Sequence, residues 1–113
     1  MSVEQVQVMI KVVSPEGKSE QVVGTIRPLL GSIRSRAGCL DCRILQDVEN
    51  QDEITLLMAW RNETSFNGHV VSRDYRHILE WMEMSCRKPE ITISREPDRN
   101  GMEFIEGLII GQK

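Results

Sequence analysis

The chain has few aromatic residues: two Trp, one Tyr and two Phe among 113 residues. A tryptophan in such a chain is not background. Basic residues are not in excess either. Fourteen Lys and Arg stand against seventeen Asp and Glu, a formal net charge of −3, and this leaves no field for steering onto nucleic acid. Long apolar runs are missing, so nothing reaches the length that crosses a bilayer, and the N-terminus has no signal-peptide pattern. No membrane or nucleic-acid partner and a cytoplasmic location are therefore expected. The three cysteines are an odd number, which suits a reducing compartment better than a disulfide framework. Cys39 and Cys42 form a C-x-x-C, but Cys86 and two scattered histidines make a poor second ligand pair, so no metal site is expected. The pair lies in Cys39-Leu40-Asp41-Cys42-Arg43-Ile44-Leu45, whose strand-like alternation would point the two sulfurs to opposite faces. A packing role is the expectation for both.

What remains is an ordinary soluble domain, 40% hydrophobic and 27% charged, long enough for a core without staples. Residues 1–113 are read as one domain with its core in residues 5–96. Its most informative stretch is Ile54-Thr55-Leu56-Leu57-Met58-Ala59-Trp60-Arg61-Asn62-Glu63-Thr64-Ser65-Phe66-Asn67-Gly68-His69. There a strand-like run ends in Trp60, and a titratable imidazole follows in the next helix.

Val6, Val8, Ile10 and Val12 alternate with polar or flexible neighbours, the period of a half-buried strand. Ser14-Pro15-Glu16-Gly17 closes it as a turn. Val22, Ile26, Leu29, Leu30, Ile33 and Ala37 then fall on one helical stripe. Pro28 interrupts it, so a kink or restart is expected. Arg34 and Arg36 suit the negative end of that helix, and Gly38 its C-cap. Residues 39–48 and 54–61 read as the second and third strands around a polar turn. The third is apolar on both faces, since Leu57 and Ala59 break the polarity of the second face, and this calls for a cover that the chain's helices do not supply. From Asn62 to Cys86 two helices fit better than one, with a break near Ser72-Arg73-Asp74; Asn62 and Asp74 are acceptable N-caps. In the second helix Tyr75, Ile78, Leu79, Met82 and Cys86 share a face, which leaves Trp81 opposite as an interface candidate. Residues 90–95 read as a fourth strand. Residues 102–110, apolar on both faces for most of their length, read as an additional C-terminal strand.

The order is β-α-β-β-α-β, a ferredoxin-like α+β fold with an antiparallel sheet and an extra C-terminal strand. Helices cover only one face of such a sheet. The other face is too apolar for water, which points to a homodimer joined face to face.

Ala37-Gly38-Cys39-Leu40 at the first helix–strand junction, the strand ending in Trp60, and the spacing to His69 and Ser72 together resemble the antibiotic biosynthesis monooxygenase family. The resemblance covers roughly residues 5–95. It implies a dimeric α/β barrel and, as activity, oxidation of polycyclic phenols or quinols by O₂ with no metal, flavin or other cofactor. A related branch degrades haem, but its pattern has an asparagine on the first strand. Here that strand reads Gln5-Val6-Gln7-Val8-Met9-Ile10, which ranks haem degradation below quinol oxidation.

Cofactor-free oxygenation needs a protein that strips a phenolic proton, orients the ring and excludes water. Trp60 offers a flat wall and an indole N–H donor. His69 offers a proton acceptor whose reference pKa lies near neutrality. These two are the candidate catalytic residues, and Met58, Phe66 and Tyr75 the candidate substrate-binding residues; Arg43 or Arg73 would stabilise an anion. Plain packing accounts for the same pattern: Trp60 continues the apolar face of Ile54, Leu56 and Met58, and a histidine bonded to a backbone carbonyl looks identical in sequence. Two functions stay open, a monooxygenase acting on an aromatic or quinol-type small molecule, and a non-catalytic barrel that binds a small ligand or regulates a partner. A ligand-sensing domain of the amino-acid-binding type is more remote, because the loop after the first strand offers one glycine.

Overall fold

A computed structural model describes residues 4–97 and 101–111. Four antiparallel strands, β1 (Glu4–Val13), β2 (Cys39–Gln46), β3 (Glu53–Trp60) and β4 (Glu90–Pro97), form one sheet in the order β2-β3-β1-β4. One face carries α1 (Ser19–Ile26), a 3₁₀ turn (Arg27–Leu29), α2 (Leu30–Arg34), α3 (Glu63–Val70) and α4 (Arg73–Met82). This is the expected ferredoxin-like α+β arrangement.

Alternation sets the sheet. Val6, Val8, Ile10 and Val12 of β1 lie cross-strand from Trp60, Met58, Leu56 and Ile54 of β3. All eight are buried, and they form the floor of the core. Because side chains change face at every residue, a slip of one position would turn this whole set outward. Val22, Ile26 and Ile33 close the core from α1 and α2, and Ile78 and Trp81 from α4. Pro28 sits in the first positions of the 3₁₀ turn, so the expected interruption is there. The helix ends at Arg34, and Ala37 falls beyond it and is exposed.

Several expectations need correction. Trp81 is no interface residue: it is fully buried, and its indole N–H donates to the Val22 carbonyl at 2.9 Å, tying α4 to α1. The buried face of α4 runs through Ile78 and Trp81, one turn apart, while Leu79 is 45% exposed. Ser72, not Asp74, caps α4. The C-terminal segment is not a fifth strand but the helix α5 (Gly101–Ile110). A short, mostly apolar run broken only by Glu103 and Glu106 carries neither period clearly, and periodicity alone does not separate a strand from a helix in such a run. Leu108, Ile109 and Ile110 each remain more than half exposed.

The C-x-x-C also departs from expectation. Cys39 lies opposite Trp60 and Cys42 opposite Met58, with a bulge between Cys39 and Asp41. Three residues of β2 therefore span two of β3. Trp60 and Met58 both point into the core, so the two cysteines share that face instead of dividing between faces.

Among the described residues, α1 to α4 leave the outer face of the sheet open. Met9 and Leu45 are each 43% exposed there, beside half-buried Leu57 and Ala59.

Gly38 makes the turn from α2 into β2 with φ +86°. A side chain at this position would collide with Oγ and Cβ of Ser65, at the start of α3. Its carbonyl accepts from Arg61 N–H at 2.7 Å, closing the end of β3. Gly38→Ala is expected to destabilise the fold by about 1–3 kcal/mol, the usual cost of a strained backbone with a local clash. Urea denaturation reads this directly, and Ser65→Gly in the same chain should return the steric part only.

Candidate functional site

The site is built where β3 ends. Trp60 is the last inward residue of the strand, and the chain leaves the sheet through Arg61 into α3. Asn62 caps that helix, its side-chain oxygen accepting from Ser65 N–H at 2.8 Å. Two turns on, His69 reaches the same spot from above. The Trp60 and His69 rings stack with centroids 4.6 Å apart and 27° between planes. Both residues are fully buried. Tyr75, in the first turn of α4, meets the imidazole edge-on at 5.5 Å and 88°. Ser72 joins the two helices here: its hydroxyl donates to the His69 carbonyl at 2.6 Å and accepts from Tyr75 N–H at 3.3 Å. The half-buried Tyr75 is thus the outer member of a three-ring cluster, in which only Trp60 and His69 stack face to face.

Three polar atoms inside this stack have no hydrogen-bond partner: Trp60 Nε1, His69 Nδ1 and His69 Nε2. Buried donors and acceptors are nearly always satisfied, and leaving one unpaired costs about 1–3 kcal/mol. Their concentration in one place marks it off from the rest of the core. Burial lowers the His69 pKa to about 4, the nearby Arg36 charge adds to the effect, and Asp74 opposes it. The imidazole is therefore neutral at neutral pH, with one N–H to donate and one lone pair to accept. Together with the indole N–H, the stack offers two donors and one acceptor.

Of the residues proposed from sequence, Trp60, His69 and Tyr75 are brought into ring contact. Met58 and Phe66 belong to the same buried cluster, Met58 two residues before Trp60 and Phe66 one turn before His69. Arg43 and Arg73 do not join them. Arg43 pairs with Asp41 at 2.9 Å on the surface, and Arg73 is exposed. The cation beside the site is Arg36, whose guanidinium donates to the Gly68 carbonyl at 3.1 Å. In the sequence Arg36 suits the end of its own helix, and nothing in the linear order signals a contact across more than thirty residues. The neighbouring Arg34 likewise reaches away, its Nε donating to the Cys42 carbonyl at 2.9 Å. His77 is solvent-facing, 3.6 Å from Glu80. A surface groove of about 440 Å³, lined by Val23, Arg27, Leu30 and Arg34 with residues 43–46 of β2, lies apart from Trp60 and His69.

The profile of the antibiotic biosynthesis monooxygenase family matches residues 6–81, which hold every element from β1 to nearly the end of α4 and the whole ring stack. The chain belongs to the antibiotic biosynthesis monooxygenase family. Solved structures agree in fold. A conserved protein from Methanosarcina mazei superposes with a TM-score of 0.75 at 24% identity, over 83% of this chain and 94% of that one. A protein from Mycobacterium tuberculosis gives 0.74 at 15% identity, over 86% and 98%. One from Deinococcus radiodurans, provisionally named an antibiotic biosynthesis monooxygenase, gives 0.74 at 12%, over 85% and 96%. At these identities they speak for the fold alone. No curated protein matches the chain in sequence. Trp60, His69 and Tyr75 all lie inside the stretch that carries the family match.

For this member of the family the depressed His69 pKa has a definite sign. The unfolded histidine takes up its proton near 6.5, whereas the folded one resists until about 4. Its contribution to stability is therefore complete above pH 6.5 and is lost as the pH falls towards 4, by up to about 3 kcal/mol. The stability difference between the native chain and His69→Gln, from urea midpoints at each pH, should shrink across that window and stay level from pH 7 to 8.

Proposed function

We propose that this family member is a monooxygenase that oxidises an aromatic or quinol-type small molecule with O₂, without metal or flavin, at the Trp60–His69–Tyr75 stack. The observation that supports this reading best is the set of three unpartnered nitrogens buried against flat apolar rings. A phenolic group suits them: its O–H donates to the neutral imidazole nitrogen, and its oxygen accepts from the indole N–H. Stacking against Trp60 would hold the ring, with Met58 and Phe66 as its apolar surround.

An imidazole with a pKa of about 4 is a weak base, so proton removal requires its pKa to rise when the ligand is bound. A phenolate forming beside it does this, because a nearby negative charge favours the imidazolium. The ion pair then forms in a water-excluded site, where such attraction is strongest. The electron-rich anion is the species able to pass an electron to O₂, and Trp60 N–H steadies its oxygen.

One observation favours a second reading. Met58 and Phe66 are buried, and Met82 packs against the same core, so the surroundings of the stack are filled by adaptable side chains. A barrel that holds a small aromatic ligand without turning it over fits this equally. One pair of measurements separates the two. With a panel of hydroquinones, O₂ uptake should occur after exhaustive dialysis against a chelator and should fall by about 10²-fold in His69→Ala, the scale of a lost proton acceptor. Thermal stabilisation by the same compounds without any O₂ uptake would favour the binding reading.

We also propose that the protein is a homodimer closed through the outer sheet face, which the apolar Met9, Leu45, Leu57 and Ala59 support. Met9→Asp should halve the mass seen by light scattering while leaving the circular dichroism spectrum of the protomer unchanged; an unchanged mass would place the interface elsewhere.

A further inference from the structure

The paired cysteines of β2 have no part in the ring stack, yet the fold places them together. Cys39 and Cys42 lie opposite Trp60 and Met58, two residues apart on β3. Such residues are separated by about 6–7 Å along a strand. The two cysteines therefore share one face at the upper end of the roughly 4.4–6.8 Å Cα separation that a disulfide spans. Without the bulge at Cys39 and Asp41, a spacing of three would divide them between faces. The bulge also supplies an extra residue of slack, and it is the local feature that permits the bridge.

Their surroundings differ in a useful way. Cys39 is half-buried and opens onto a small groove of about 130 Å³ lined by Arg34, Leu40 and Asp41 as well as both cysteines. Cys42 is fully buried behind it. Arg34 is held over the pair by its bond to the Cys42 carbonyl. Cys86 is exposed and lies after α4, beside Ser14.

We propose that Cys39 and Cys42 form a thiol-modification site that reacts with a low-molecular-weight disulfide and closes to an internal disulfide across the bulge. The accessible Cys39 loses its proton and attacks one sulfur of the reagent, whose S–S bond breaks and releases one thiol. Cys42, deprotonated in turn, attacks the Cys39 sulfur of this mixed disulfide and expels the second thiol. The protein loses two hydrogens and two electrons, and the reagent disulfide is reduced to two thiols. Burial pushes both thiols up, Cys42 to about 12, so the reaction is slow and quickens with rising pH.

The test uses the full chain carrying Cys86→Ser, folded, with glutathione disulfide as the reagent. Trypsin, cutting after Arg36 and Arg43, isolates residues 37–43 with both cysteines and no other. The expected product is this peptide lighter by two hydrogens, free of glutathione, closed to alkylation and reopened by dithiothreitol. At equilibrium in glutathione redox buffers, ring closure should be at least about tenfold more favourable in the folded chain than in the same chain in urea. A second chain with Cys42→Ser should retain glutathione on Cys39. The proposal is overturned if glutathione remains on Cys39 in the chain that has Cys42, if both thiols stay free at equilibrium, or if folding gives closure no advantage over urea.

Discussion

The burial of Trp60 is the contact on which the rest of this structure depends. The ring lies at the end of β3, cross-strand from Val6 on one side and Cys39 on the other, so its place in the core fixes the register of the three strands β2, β3 and β1 at once. Its upper surface carries His69, which sets α3 on the sheet. From α3, the Ser72 hydroxyl bond passes the geometry on to Tyr75 and α4. A second indole, Trp81, anchors α4 to α1 by its bond to Val22. In a chain with so few aromatics, two tryptophans thus set most of the helix layer in place, one by stacking and one by a hydrogen bond.

The same contact creates the chemical interest of the site. Packing an imidazole flat against an indole in a dry core strengthens dispersion but leaves three nitrogens without partners. Desolvation keeps the imidazole neutral. A protein that only needed a filled core would gain stability from an apolar residue at position 69, because the unpaired groups cost more than they return. Retaining a polar group where packing alone would choose Leu or Phe is the physical argument for a ligand at this position.

Much of the architecture was readable from order alone. The alternation of β1, the proline interruption and the N-cap Asn62 are local signals, each decided within a few residues by sterics and backbone hydrogen bonding, and the structure has each of them. Trp60, His69 and the nearby Tyr75 were legible for the same reason, since a strand end and a following capped helix constrain one another. Arg36 was not, because its contact with α3 depends on how α2 crosses the sheet. Trp81 was misplaced because helical angles show which residues share a face but not which face another helix will cover.

The C-terminal segment and the C-x-x-C show where the boundary falls. Residues 101–110 are mostly apolar, with only Glu103 and Glu106 to mark a polar side, so strand and helix remain equally consistent with their order, and the backbone's choice of α5 depends on context that the segment itself does not carry. Spacing assigned Cys39 and Cys42 to opposite faces; a single unpaired residue in β2 reverses this by shifting the phase of the strand against β3. Periodic pattern and turn chemistry act over neighbouring residues, and from them the chain determined its elements, their sequence and the inward set of the sheet. Cross-strand register, the packing of helix on helix and the desolvation of one imidazole arise between residues distant in the chain, and those were decided only when the chain had folded.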